Sequence, residues 1–177
     1  MAHRRKTNEE VRLSISDALV ELMSEKALDE IRVSELVQRA HVARVSFYRN
    51  YGSKDDVLRE RARQLTESFL EGYPPERRET DRPAFLAACL RFYYDHRALV
   101  ERLMESGRMD IVREEFNRAF GVGCPDRRLS ARRSFLAGGL YNLAYRWTTV
   151  GYDITPERLA EFVSELLFND HPKVVEG

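Results

Sequence analysis

A chain of 177 residues with 43% hydrophobic content can bury one large core or two small ones. Its 29 basic and 29 acidic side chains cancel, so net charge argues neither for nor against nucleic acid, and any electrostatic case must be local. Two cysteines, Cys89 and Cys124, give no disulfide framework, the charged opening has no apolar leader core, and no apolar run nears the roughly 18 residues of a membrane span. A reducing cytoplasm and no membrane partner are expected.

Apolar residues recur at the helical period along almost the whole chain, and no stretch alternates as a strand would, which predicts an all-α fold of about nine helices. Thr7 and Glu10 form a capping box ahead of Val11, Ile15, Ala18, Leu19, Leu22 and Met23, predicting a first helix over 8–25. A short helix follows with Val33, Leu36, Val37 and Ala40 inward, then a brief turn and another short helix over 44–50. Ser53 caps a long helix that carries Asp55 and Asp56 at the positive end of its dipole. Leu58, Ala62, Leu65 and Phe69 form its buried stripe until Gly72, Tyr73, Pro74 and Pro75 stop it. Residues 76–81 read as a polar connector. Helices are expected over 82–95, 97–105 and 109–120, followed by a break at 121–125. A helix of roughly 24 residues starts near Asp126, and the last begins at Pro156 with Thr155 as its cap.

The stretch from Arg32 to Lys54 concentrates the chemistry. Arg39, Arg44, Arg49 and Lys54 stand at five-residue steps around Phe47 and Tyr48, with no acid after Glu35, which points to an anion nearby. Two short helices joined by a short turn need a third to pack against, and the first helix supplies it, giving a helix-turn-helix. In that motif the second short helix enters a DNA major groove. Arg44 at its start can reach a guanine in bidentate fashion and Val45 can touch a thymine methyl. Ser46, Tyr48, Arg49, Asn50 and Lys54 can donate to phosphate oxygens, while Phe47 and Tyr51 fall on the inward face. The arm His3, Arg4, Arg5 and Lys6 could reach a phosphate or minor groove.

The motif resembles that of the TetR family of transcriptional regulators, a helix-turn-helix followed by Tyr-x-x-Phe/Tyr-x-x-Lys and a long connecting helix. VSELVQRAHVARVSFYRNYGSKDDVL matches it over its whole length, with Phe47, Tyr48, Tyr51 and Lys54 in the family's places. The resemblance implies that Ser34, Arg44, Val45 and Tyr48 lie nearest the bases and Ser46, Asn50 and Lys54 nearest the backbone. Three positions depart from the pattern. Arg32 replaces the usual capping threonine, His41 the common turn glycine, so that a non-glycine residue holds the turn, and Ala43 a serine cap worth about 1 kcal/mol.

At the far end, YRWTTVGY and TPERLAEFV resemble the closing helices of a branch of the family with a short C-terminal domain. That resemblance implies a helix-turn-helix domain over 1–54 and an effector-binding and dimerisation domain over 55–177. It further implies that 126–170 pair with their copies in a second subunit as a four-helix bundle, and that 55–125 surround a ligand cavity. Leu136, Leu140, Leu143 and Trp147 with Leu159, Phe162, Val163 and Leu166 offer more apolar face than a small domain can cover, and are the expected homodimer contacts. Gly138 and Gly139 inside a long helix cost about 1 kcal/mol each relative to alanine, which points to a close helix approach or a kink, with dimer packing favoured over a ligand site.

Tyr93, Phe116 and Tyr141 are the candidate ligand contacts, with ordinary core packing as the alternative for each. Cys89 and His96 share one helix face but lack a third ligand. His3, His41, His96 and His171 are scattered, with neither Cys-x-x-Cys, His-Glu-x-x-His nor a phosphate loop, so no enzyme activity, metal or cofactor is expected. The leading expectation is a homodimeric repressor that binds a palindromic DNA operator and releases it when a small molecule enters. The alternative is a co-activator or adaptor of the same fold that acts through a partner protein.

Overall fold

The computed structural model describes residues 7–168, which form ten α-helices and one 3-10 turn with no strand among them. The arm at 3–6 and His171 lie outside the described residues. Helix α1 (Asn8–Glu25) opens on the expected capping box: the Glu10 amide donates to Thr7 Oγ1 at 3.2 Å and the Thr7 amide to Glu10 Oε2 at 2.6 Å. A 3-10 turn (Leu28–Glu30) leads to α2 (Val33–Arg39) and α3 (Arg44–Asn50). Each of these has seven residues, too few to persist alone, so tertiary burial of Leu36, Val37 and Phe47 beside Leu19 and Leu22 must hold them.

Helix α4 (Lys54–Glu71) starts at Ser53, whose hydroxyl accepts from the Asp56 amide at 3.1 Å. Its first turns bury Val57 and Leu58 with the α1–α3 core, and its later turns bury Ala62 and Thr66. A single helix therefore serves both halves of the chain. Helix α5 (Pro75–Thr80) occupies the segment expected to be a connector. Pro75 supplies a preset φ at the first helical position and Glu76 a favourable charge there. The helix buries no residue, so it has no apolar period by which to be recognised.

Helices α6 (Arg82–Asp95), α7 (Arg97–Glu105) and α8 (Met109–Ala119) follow, then α9 (Arg127–Thr149) and α10 (Pro156–Phe168). α8 packs between α4 and α9, while α10 lies along α6. The α9–α10 turn takes Gly151 and Tyr152 through positive φ, 75° and 58°. Tyr152 tolerates this because its ring packs edge-on against Trp147 at 5.1 Å, and the Trp147 indole donates to the Ile154 carbonyl at 3.1 Å.

The packing revises the expected dimer face. Leu140, Trp147, Leu159 and Val163 are buried within one protomer, in a core continuous from Ile15 to Val163, and have almost no surface left for a second chain. Leu136 and Leu143 are half-buried, whereas Phe162 and Leu166 are exposed, as are Phe135 and Tyr145 of α9. α9 runs unbroken through Gly138 and Gly139, and a Cβ built on either meets nothing within 4 Å. Their lack of side chains therefore serves no close approach inside the protomer.

Candidate nucleic-acid interface and effector cavity

Helix α3 is anchored on one side and bare on the other. Phe47 is fully buried and its ring stands 6.0 Å from that of buried Tyr51, so the helix cannot roll. Val45 and Tyr48 point away from this anchor and are 62% and 54% exposed. Arg44 and Arg49 are exposed beside them. An Arg44 Nη donates to Tyr48 Oη at 3.3 Å with its guanidinium 5.6 Å over the ring, which pre-orients the first residue of the helix. Asn50 Nδ2 donates to the Ser46 carbonyl at 2.8 Å, so that amide is partly committed within α3. Ser34 is exposed on α2.

The turn between α2 and α3 needs the conformation that glycine favours. His41 has φ 53°, the left-handed region in which histidine is among the less costly substitutes. Neither Arg32 nor Ala43 makes a side-chain cap, so both short helices begin with open amides.

The four evenly spaced cations divide into two roles. Arg39 is bound to Glu25 of α1 by two hydrogen bonds, 2.9 and 3.1 Å, and this pairing holds the Glu25 carboxyl below its ordinary pKa. Lys54 Nζ donates to the carbonyls of Leu28 at 2.5 Å and Ile31 at 2.7 Å and is half-buried. Two of its three donors are thus spent on backbone carbonyls, and Lys54 fastens the start of α4 to the 3-10 turn. One donor of Lys54 remains beyond these two bonds. Arg44 and Arg49 remain as the cations that α3 offers to solvent.

Below the motif, α4, α6, α7 and α8 enclose an almost wholly apolar cavity of about 80 Å3. Tyr93 and Phe116 line it, as do Cys89 and His96, whereas Tyr141 does not. Tyr141 stands behind Phe116, ring centroids 6.2 Å apart, because the face of α9 that carries it packs on α8 from outside. Tyr93 is also fixed: its hydroxyl lies 2.7 Å from Thr148 Oγ1, and burial pushes its pKa up.

Besides His96, Cys89 and Tyr93, two further polar side chains line the cavity, Thr66 and Glu115. Desolvation raises the Glu115 pKa, opposed by hydrogen bonds from Thr66 and Arg118, the latter at 3.1 Å. Periodicity alone missed Glu115, although an acid in register with the apolar positions Val112, Phe116 and Ala119 was a readable signal. Among the described residues no group of three or more His, Cys, Asp and Glu could hold a metal ion, and no helix is long and apolar enough to cross a membrane.

Residues 15–60 match the family described as bacterial regulatory proteins, tetR family. The solved structure of Lin0861 from Listeria innocua is similar in fold, with a TM-score of 0.64, 18% identity, and coverage of 93% of this chain and 94% of that one. No curated protein matches the chain.

Proposed function

We propose that the chain, whose residues 15–60 match the family described as bacterial regulatory proteins, tetR family, is a DNA-binding transcriptional regulator that acts as a homodimeric repressor released from a palindromic operator by a small molecule. The observation that carries this reading is the shared helix α4. Its first turns are locked to the α1–α3 core and its later turns form one wall of the cavity. A ligand that moves the cavity wall therefore moves α3.

Arg44, Val45 and Tyr48 act as base readers, with Ser34 at the edge of the groove. Arg49, Ser46 and Asn50 face phosphates, Lys54 adding its one remaining donor. The subunits meet through the exposed apolar positions Phe135, Phe162 and Leu166, rimmed by Leu136, Leu143 and Tyr145. The division falls near residue 54, with 1–54 binding DNA and 55–177 binding effector and partner subunit. The site of action is the cytoplasm, where the operator is.

At about 80 Å3 the cavity is well below the ~300 Å3 at which drug-sized pockets begin. A ligand of that size must part α4 from α8, and this separation is the motion that shifts the two recognition helices from the ~34–36 Å spacing of successive major-groove half-sites. Selection of duplexes from a random library by the full chain tests the reading. The expected product is a palindrome with half-sites about one helical turn apart. Enrichment of single, unpaired half-sites would contradict the dimeric repressor.

A further inference from the structure

At the C-terminal end of α8 lies a second concavity of about 270 Å3, bounded by α5, α6, α9 and the end of α10. Its floor is apolar, made by Phe85, Leu86, Leu136, Leu140 and Leu167. Its rim carries four arginines, Arg78, Arg82, Arg132 and Arg133, against one carboxylate, Glu79. In a chain whose charges cancel overall, this is a concentrated local excess of positive charge.

The excess is poorly compensated. Glu79 is shared by Arg82 at 3.2 Å and Arg133 at 3.4 Å. Arg78 donates only to carbonyls, those of Tyr73 and Ala119, and Arg132 is exposed with no ion-pair partner among the described residues. Helix α9 aggravates the imbalance. Arg127, Arg128, Arg132 and Arg133 occupy its first two turns, where the helix dipole is already positive, against the single carboxylate of the capping Asp126 and no acid within the helix itself. Folding stability alone disfavours that arrangement, since cations gain at the other end of a helix. It becomes favourable when an anion sits among the guanidiniums, whose planar forks match carboxylate or sulfonate oxygens.

We propose that this groove binds a small amphiphilic anion, a carboxylate or sulfonate on an apolar body, whose head lies between Arg82 and Arg132 and whose body lies on Leu136 and Leu167. The site is separate from the inner cavity, although Ala119 of α8 lines both, and it does not depend on whether that cavity takes an inducer. An occupant here presses on the end of the same helix that walls the inner cavity.

Calorimetric titration of the full chain with decanoate tests the proposal, with decyltrimethylammonium (similar tail, opposite head) and acetate (head without tail) as controls. Saturable binding of decanoate alone is expected. Arg132→Gln, which replaces an exposed side chain and leaves the fold intact, should weaken it about ten-fold, the loss of one charge-assisted pair, and Arg82→Gln should weaken it similarly. Comparable binding of the cationic analogue, decanoate affinity unaltered in both variants, or no decanoate binding at millimolar concentration would each overturn the assignment.

Discussion

The guanidinium of Arg108, which enters α8, lies 2.9 Å from the carboxylate of Asp29 in the 3-10 turn that precedes α2. The same guanidinium reaches Asp55 in the first turn of α4 at 3.4 Å. One side chain at the start of a cavity-lining helix thus touches both the 3-10 turn beside the α1–α3 core and the helix shared with it. Such exposed pairs contribute little to stability, about 0–1 kcal/mol, but they fix orientation. Arg108→Ala should leave the unfolding midpoint within a few degrees of wild type and operator affinity nearly unchanged, while reducing the fold-release caused by inducer. Operator titrations with and without inducer check this, and an unaltered release would show that α4 alone carries the signal.

Lys54 separates a structural from an electrostatic role. Lys54→Met removes both part-buried bonds to the Leu28 and Ile31 carbonyls, at a cost of about 1–3 kcal/mol. Thermal unfolding should show a clear drop in midpoint. An unchanged midpoint with a salt slope of DNA binding reduced by about one would instead identify Lys54 as a phosphate anchor.

The region 32–54 was legible because its signals are local: two short apolar periods, a left-handed turn at His41, and the Ser53 cap that opens α4. What a side chain meets across the fold was not. Arg39 and Lys54 belong to the same run of cations as Arg44 and Arg49, yet Glu25 and the 3-10 turn claim the first two, and only tertiary placement reveals it. The same limit governs α9 and α10. Periodicity identifies Leu140, Trp147, Leu159 and Val163 as one face each, but whether α6 and α8 or a second subunit covers that face depends on packing. Helix α5 was hidden for the opposite reason, having no buried face to repeat.

Dimer contacts are therefore expected to divide by burial. Phe162→Glu and Leu166→Glu should yield folded monomers in light scattering, with operator affinity lost in consequence. Val163→Ala should cost protomer stability, by about 1–3 kcal/mol for a buried aliphatic truncation, and leave the oligomeric state intact. A dimer unaffected by charges at 162 and 166 would place the interface elsewhere.

Glu115 gives a pH signature. Its folded pKa is raised above the ordinary value of 4.5 by desolvation, so the folded state favours the protonated acid. The resulting penalty is absent below the unfolded pKa, grows as pH rises, and is complete above the folded pKa. Glu115→Gln should raise the unfolding midpoint at about pH 7.5, with the advantage shrinking as pH approaches about 4. A lower midpoint at neutral pH would mean that the Thr66 and Arg118 bonds outweigh desolvation.

Reading by Arg44 predicts a defined loss of selectivity. Arg44→Ala should relax preference at one base pair in each half-site by about 1–3 kcal/mol while the other positions keep theirs. Duplex selection with the variant reads this directly, and an unchanged selected sequence would remove Arg44 from the readers.

The most direct test of the account is the affinity of Tyr48→Ala and Val45→Glu for the duplex selected by wild type, measured by fluorescence anisotropy at fixed salt. Both side chains are exposed on α3, so circular dichroism and unfolding midpoints should match wild type. Specific affinity is expected to fall at least about ten-fold in Tyr48→Ala and more in Val45→Glu, where a carboxylate meets the negative potential of the groove. Wild-type affinity in both folded variants would contradict the assignment of α3 as the DNA-reading helix.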